Sequence, residues 1–163
     1  MKQLPAWRHR GEPDRKPLHY TGCGLDNVYL VSGYEITQTP YGEGLIIRNL
    51  DQLHRAIGCD LARQKKTLSG RELRFLRAQR DLTQSELGML IGLGSQQVAR
   101  WEKGGSEISG PADLLLRALF IQAAGGEVDL QGLARSLDEI GTGAGGKGFY
   151  EKTTRGWRLR KAA

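Results

Sequence analysis

The chain is poor in several things at once. Of its 163 residues only 7% are aromatic, two are cysteine and three are histidine. Few aromatics beside 23 glycines leave little for one large core and point to loop or tail over part of the length. Cys23 and Cys59 allow one disulfide on paper, and a reducing compartment, the expected one, disfavours it. A closed zinc site needs about four ligands at close spacing, and only His19 stands near Cys23, so no metal and no cofactor is expected. No carboxylate pair or nucleophile stands at matching spacing to His9, His19 or His54, so no enzyme is expected. An apolar run of about 18 residues, the length of a membrane helix, is absent. The first basic residues are not followed by an apolar stretch of the signal-peptide kind. The expectation is a cytoplasmic protein with no membrane partner.

What the chain has is an excess of positive charge, +6 in all, placed toward its ends. Residues 1–20 carry five basic groups against two acidic, and residues 125–163 seven against five. Residues 21–68 balance, and residues 69–124 carry seven against six. Basic ends favour phosphate through counterion release, although charged tails also simply keep a chain soluble.

Four segments follow from the pattern. Residues 1–17 read as a basic arm, with prolines and a glycine among charges and no periodicity. Residues 18–66 read as a small β-containing module with one helix. Asn27–Val31, Tyr34–Thr37 and Leu45–Ile47 are strand-like around the turn cluster Thr39–Gly44, enough for a two- or three-stranded sheet. Asn49 can cap a helix whose apolar stripe is Leu50, Leu53, Ile57 and Leu61. Residues 67–140 read as short capped helices. Ser69 caps the first, with Leu73 and Leu76 inward. Thr83 and Glu86 form a capping box for the second, whose buried face is Leu87, Leu90 and Ile91. Gly92 breaks it, Ser95 caps a third helix with Val98 and Trp101 inward, and Lys103-Gly104-Gly105 ends that one. Pro111 opens a fourth helix with the stripe Leu114, Leu115, Ala118 and Ile121. A fifth runs from Leu130 to Ile140 behind Asp129. Residues 141–163 read as a Gly-rich, basic tail: Lys152–Lys161 shows no packing pattern and is expected either in solvent or on DNA phosphates, with Trp157 docking or stacking. The fold class is α+β.

The string from Leu76 to Gly104 carries the chemistry. A helix-turn-helix needs two short helices crossing over a tight turn. Gly88 supplies the small residue at their approach, Gly92 the turn, and Val98 and Trp101 the anchors of the second helix. Ser95, Gln96, Gln97 and Arg100 then face outward, where a recognition helix meets base edges. Gln pairs with adenine N6 and N7, Arg with guanine O6 and N7.

Leu82–Leu87, Gly92 and Val98–Gly104 resemble the Cro/CI-type (XRE) helix-turn-helix. The resemblance implies a five-helix, lambda-repressor-like domain in a bacterial transcriptional regulator, a repressor working as a homodimer on palindromic double-stranded DNA with half-sites about 34 Å apart. It implies that Ser95, Gln96, Gln97 and Arg100 read bases, that Arg77, Thr83, Gln84 and Lys103 meet phosphates, and that Arg77 and Glu102 form a salt bridge between the first and third helices. Gly94-Ser95 departs from the polar or charged side chains frequent there. For the dimer surface, Leu119, Phe120 and Leu133 are candidates. Leu68–Arg77 and Gln97–Gly104 further resemble the MqsA-type antitoxins, which implies a toxin protein as a second possible partner. Those antitoxins carry an N-terminal zinc domain with two cysteine pairs. Tyr20-Thr21-Gly22-Cys23 keeps one cysteine of one pair, so the zinc domain is degenerate and metal is not expected.

Overall fold

The computed structural model describes residues 16–64, 67–140 and 146–160. All but Lys16 and Pro17 of the expected N-terminal arm, Lys65 and Lys66, and residues 141–145 and 161–163 of the expected tail lie outside them. The fold is mixed, with six helices and two small sheets among the described residues. It divides into two units. One holds the residues up to Ala56 together with those from Gly146, the other Ile57–Gly145.

In the first unit β1 (Leu18–His19), β2 (Val28–Leu30), β5 (Gly148–Thr153) and β6 (Gly156–Leu159) form a four-stranded sheet in the order β1-β2-β5-β6. Strand β2 is central, and Val28, Tyr29 and Leu30 are all buried, as expected of a strand covered on both sides. It pairs antiparallel with β1 and parallel with β5, Val28 opposite Gly148 and Leu30 opposite Tyr150. A parallel pair needs a long crossover, and every other helix and strand but β1 lies between β2 and β5 or in the β5–β6 hairpin. Strands β3 (Tyr34–Thr39) and β4 (Gly42–Ile47) make a separate two-stranded hairpin turning at Pro40-Tyr41. The expected single sheet of two or three strands is therefore two sheets, and the expected tail is not a tail. Residues 148–159 fold back as a hairpin, burying Tyr150 and Trp157, and the indole Nε1 of Trp157 donates to the Arg48 carbonyl at 2.7 Å. Trp157 neither stacks nor waits for DNA; it is core. Gly33 is required beside it. Its φ is +80°, and a Cβ there would stand 2.5 Å from the Lys152 side chain and 2.7 Å from the Trp157 ring.

Helix α1 (Leu50–Gln64) contributes to both units. Leu53, Ile57 and Leu61 are buried as the spacing predicts, while Leu50, in the first turn, is exposed. Tyr20 and His54 share a hydrogen bond of 2.9 Å between the hydroxyl and Nε2. Burial lowers the His54 pKa, against a smaller opposite pull from Asp51, and raises that of Tyr20, so the pair is held neutral.

The second unit contains the rest of α1 and five helices: α2 (Gly70–Ala78), α3 (Gln84–Ile91), α4 (Ser95–Glu102), α5 (Gly110–Ala123) and α6 (Leu130–Glu139). Pro111 sits in the first turn of α5 and Asp129 stands before α6, as expected. Of the expected α5 stripe, Ala118 and Ile121 are buried, while Leu114 and Leu115 are only half so. Ala112, Leu116, Phe120 and Arg117 are buried as well, and Arg117 is the charged one among them. Its fully buried guanidinium bonds Asp113 at 2.9 Å and the Leu61 and Ala62 carbonyls at 3.2 and 3.3 Å, closing the C-terminal end of α1. Phe120 packs its ring on Gly58, and Leu133 is also buried. Both are core rather than the free dimer surface expected of them; Leu119 alone of the three is half-buried.

Candidate nucleic-acid interface

Helices α2 and α3 are each begun by a local signal. Ser69 and Thr83 adopt the same extended conformation, φ −72° and ψ 163°, and both close reciprocal capping boxes. The Glu86 amide donates to Thr83 Oγ1 at 3.1 Å, and the Thr83 amide to Glu86 Oε2 at 2.7 Å. These bonds, the main-chain one first, lower the Glu86 pKa. Ser69 and Glu72 repeat the arrangement, at 3.3 and 2.8 Å. The spacing Ser69-Gly70-Arg71-Glu72 thus holds a full capping box behind the expected Ser69 cap.

Between α3 and α4 the chain must turn within three residues. Gly92 is left-handed at φ +72°, and the Leu93 carbonyl lies 2.5 Å from where a Cβ of Gly88 would stand. No side chain fits at Gly88, which is why the helices cross so closely. Two expectations shift here. Gly94, not Ser95, is the N-cap of α4, with no side-chain cap bond, and Ser95 is the first helical residue. Leu90 is 53% exposed rather than buried. On an eight-residue helix whose Gly88 side meets the turn, Leu87 and Gly88 take the inner face and Met89 and Leu90 look out.

Val98 and Trp101 are buried and hold α4 in place. Gln96, Arg100 and Lys103, at i, i+4 and i+7, are all exposed on the opposite side, with Ser95 exposed beside them. Gln97 is half-buried, and its Nε2 donates to Ser106 Oγ at 3.3 Å.

A clamp fixes α4 to the two helices before it. Arg77 Nε and Nη2 donate to the two oxygens of Glu102 at 2.5 and 3.1 Å, and Nη1 donates to the Leu82 carbonyl at 2.6 Å. Gln84 Nε2 donates to Glu102 Oε2 at 2.8 Å. The Arg77 and Glu102 side chains are 14% and 5% exposed. The Arg77–Glu102 salt bridge thus stands as the resemblance implied, with Gln84 and the carbonyl of Leu82 drawn into it. A bidentate arginine–carboxylate pair away from water is a directional joint. It leaves Arg77 with two of its five N–H groups outside these bonds. Thr83 and Lys103 are exposed at the start of α3 and the end of α4.

Cys23 and Cys59, which belong to different units, form no disulfide and are half-buried. Burial raises the pKa of the Cys23 thiol, the opposite of what a metal ligand or nucleophile needs. No group of three or more His, Cys, Asp or Glu able to hold a metal occurs among the described residues, and no helix among them is long and apolar enough to cross a membrane.

No curated protein and no solved structure matches this chain. A helix-turn-helix family model does match, over residues 73–112, which takes in most of α2, all of α3 and α4, and the first turn of α5. Those residues form a helix-turn-helix domain of the XRE type, and the chain carrying it is a DNA-binding transcriptional regulator.

Proposed function

We propose that the chain represses transcription as a homodimer on a palindromic operator, by binding and not by catalysis. Helix α4 enters the major groove, with Gln96 and Arg100 on base edges, Ser95 at the groove wall, and Gln97 joining once it leaves Ser106. Thr83, Gln84, Lys103 and the remaining donors of Arg77 meet phosphates. Phosphate contacts set the register and base contacts set the sequence. The observation that carries this reading is the division of α4. Its inner residues, Val98 and Trp101, are locked in the core, while Gln96, Arg100 and Lys103 lie exposed in one row. A helix so fixed needs no ordering of its backbone on binding, which leaves only the exposed side chains to be ordered.

The test is selection of bound sequences from a random DNA pool, followed by Arg100→Ala on the selected site. The substitution is expected to cost about 1–3 kcal/mol there and to relax the preference at one base pair. Equal loss on selected and random DNA would refute a base-reading role. The antitoxin reading rests on resemblance alone. Its support would be a small protein that co-purifies with the chain and is released by substitutions in β1–β4.

A further inference from the structure

The hairpin β3–β4 stands as a sheet of two strands only. An isolated two-stranded ribbon is marginal in water, and this one exposes Ile36, Leu45 and Ile46, with Tyr41 fully exposed at its tip. The ladder shows which backbone groups remain open. The Arg48 amide donates to the Gly33 carbonyl at 2.9 Å, and Tyr34 stands opposite Ile47. Because bonded and non-bonded pairs alternate in an antiparallel ladder, the bonded pairs are Gly33–Arg48, Glu35–Ile46, Thr37–Gly44 and Thr39–Gly42. The amides and carbonyls of Glu43, Leu45 and Ile47 therefore point away from β3. No main-chain partner outside the hairpin takes them up among the described residues.

We infer that the outer edge of β4 pairs with the same edge of a second copy of this chain, antiparallel about a two-fold axis at Leu45. Three observations select that occupant. The open edge is complementary to itself. A two-fold at Leu45 sets Leu45 opposite Leu45 of the second copy and Glu43 opposite Ile47, so that every open amide meets an open carbonyl. The same register joins Ile36 and Leu45, 53% and 43% exposed and already cross-strand neighbours, to their counterparts in one apolar row across four strands. And β4 carries none of the usual guards of a free edge. It has no lysine and no proline, and Glu43 is its one charge. The edge of β3 is the poorer choice, since the Tyr34 hydroxyl bonds the Lys16 carbonyl and brings that segment beside it.

A six-residue edge is well under the roughly 800 Å² per partner of a stable complex. The contact is therefore weak in solution and strong once two copies share one DNA, where the second contact becomes effectively intramolecular. That consequence rests on the DNA-binding reading above; the pairing itself does not.

Cross-linking tests it on the full chain. Bonded antiparallel partners have Cα atoms about 5.5 Å apart, inside the 4.4–6.8 Å span of a disulfide. Leu45→Cys is expected to yield a covalent dimer on mild oxidation, with wild type, whose Cys23 and Cys59 are half-buried, as the blank. Ile46 is as exposed, but in this register it stands opposite Gly44 of the second copy, so Ile46→Cys is expected to yield none. Equal cross-linking of the two variants, or none from either, overturns the pairing. So does oxidation in cells that joins Leu45→Cys to a different polypeptide, which would assign the edge to a foreign strand. In parallel, Leu45→Lys is expected to weaken binding to a two-half-site DNA about a hundredfold while leaving a single half-site unchanged. Unchanged binding to the two-half-site DNA also overturns it. A chain that cross-links through Leu45→Cys yet binds no DNA would sink the regulator reading and leave this one standing.

Discussion

The helical unit and the sheet unit are held together over very different distances along the chain. In the helical unit the decisive contacts are short. Thr83 is closed by Glu86 and Ser69 by Glu72, and Gly88 and Gly92 shape a turn within a few residues of themselves. The Arg77–Glu102 clamp spans 25 positions, and the bonds of Arg117 to Leu61 and Ala62, the long ones of this unit, span 56 and 55. In the sheet unit the central strand β2 pairs with β5, and the Ser32 hydroxyl and Lys152, 120 positions apart, are hydrogen-bonded. Local contacts form at little loop-closure cost, and distant ones only after the rest of the chain has been placed. One unit should therefore be robust to changes elsewhere in the chain, and the other hostage to them.

The sharpest way to break that contrast is to cut the chain after Gly146. The truncated protein loses β5 and β6 and with them Tyr150 and Trp157, so the sheet unit is expected to unfold while the cooperative transition of the helical unit survives. Hydrogen exchange resolved along the sequence distinguishes the two, and protection retained in β2 would show that the contrast is wrong. Glu102→Gln comes next. It leaves the Arg77 guanidinium, 14% exposed, facing a neutral amide, which for a pair so far from water costs about 3–5 kcal/mol. The loss is expected in the helical transition alone, and denaturation followed by probes in each unit checks it. Thr83→Ala removes the cap of α3 at about 1 kcal/mol, again without effect on the sheet. An unmoved denaturation midpoint would mean that packing, and not the cap, begins that helix.

The smallest effect sharpens the other side. Because burial lowers the His54 pKa, the unfolded chain takes up a proton before the folded one does. Stability of the sheet unit is therefore whole above the ordinary imidazole value of 6.5 and is lost as pH falls from there toward the folded value. His54→Gln is expected to flatten that slope. An equal slope in the variant would assign it to other groups.

How much could be read beforehand follows the same division. Thr83-Gln84-Ser85-Glu86, Gly88, Gly92, Val98 and Trp101 carry their reasons within a turn or two, and each stands where its spacing places it. Leu90 does not, because apolar character tells which residues are able to be buried and a short helix has only one inner face. The Gly94 cap is not legible in the sequence, because Ser95 is the better capping residue and the cap is set by where the turn ends. Phe120 is spare only as long as α1 has no place in the helical unit, where Gly58 meets its ring. Arg117 left only its i, i+4 partner Asp113 as a hint, since a buried arginine is identified by the carbonyls around it and these belong to Leu61 and Ala62.

Residues 69–124 thus contained in their own order the helix starts, the turn and the outward row of α4, because hydrogen bonds and glycine conformations act between near neighbours. The fate of Gly148–Leu159 was decided only in three dimensions. A strand with basic residues on it looks like a tail until β2 offers its edge, and backbone hydrogen bonds between strands carry no sequence label to say which edge that will be.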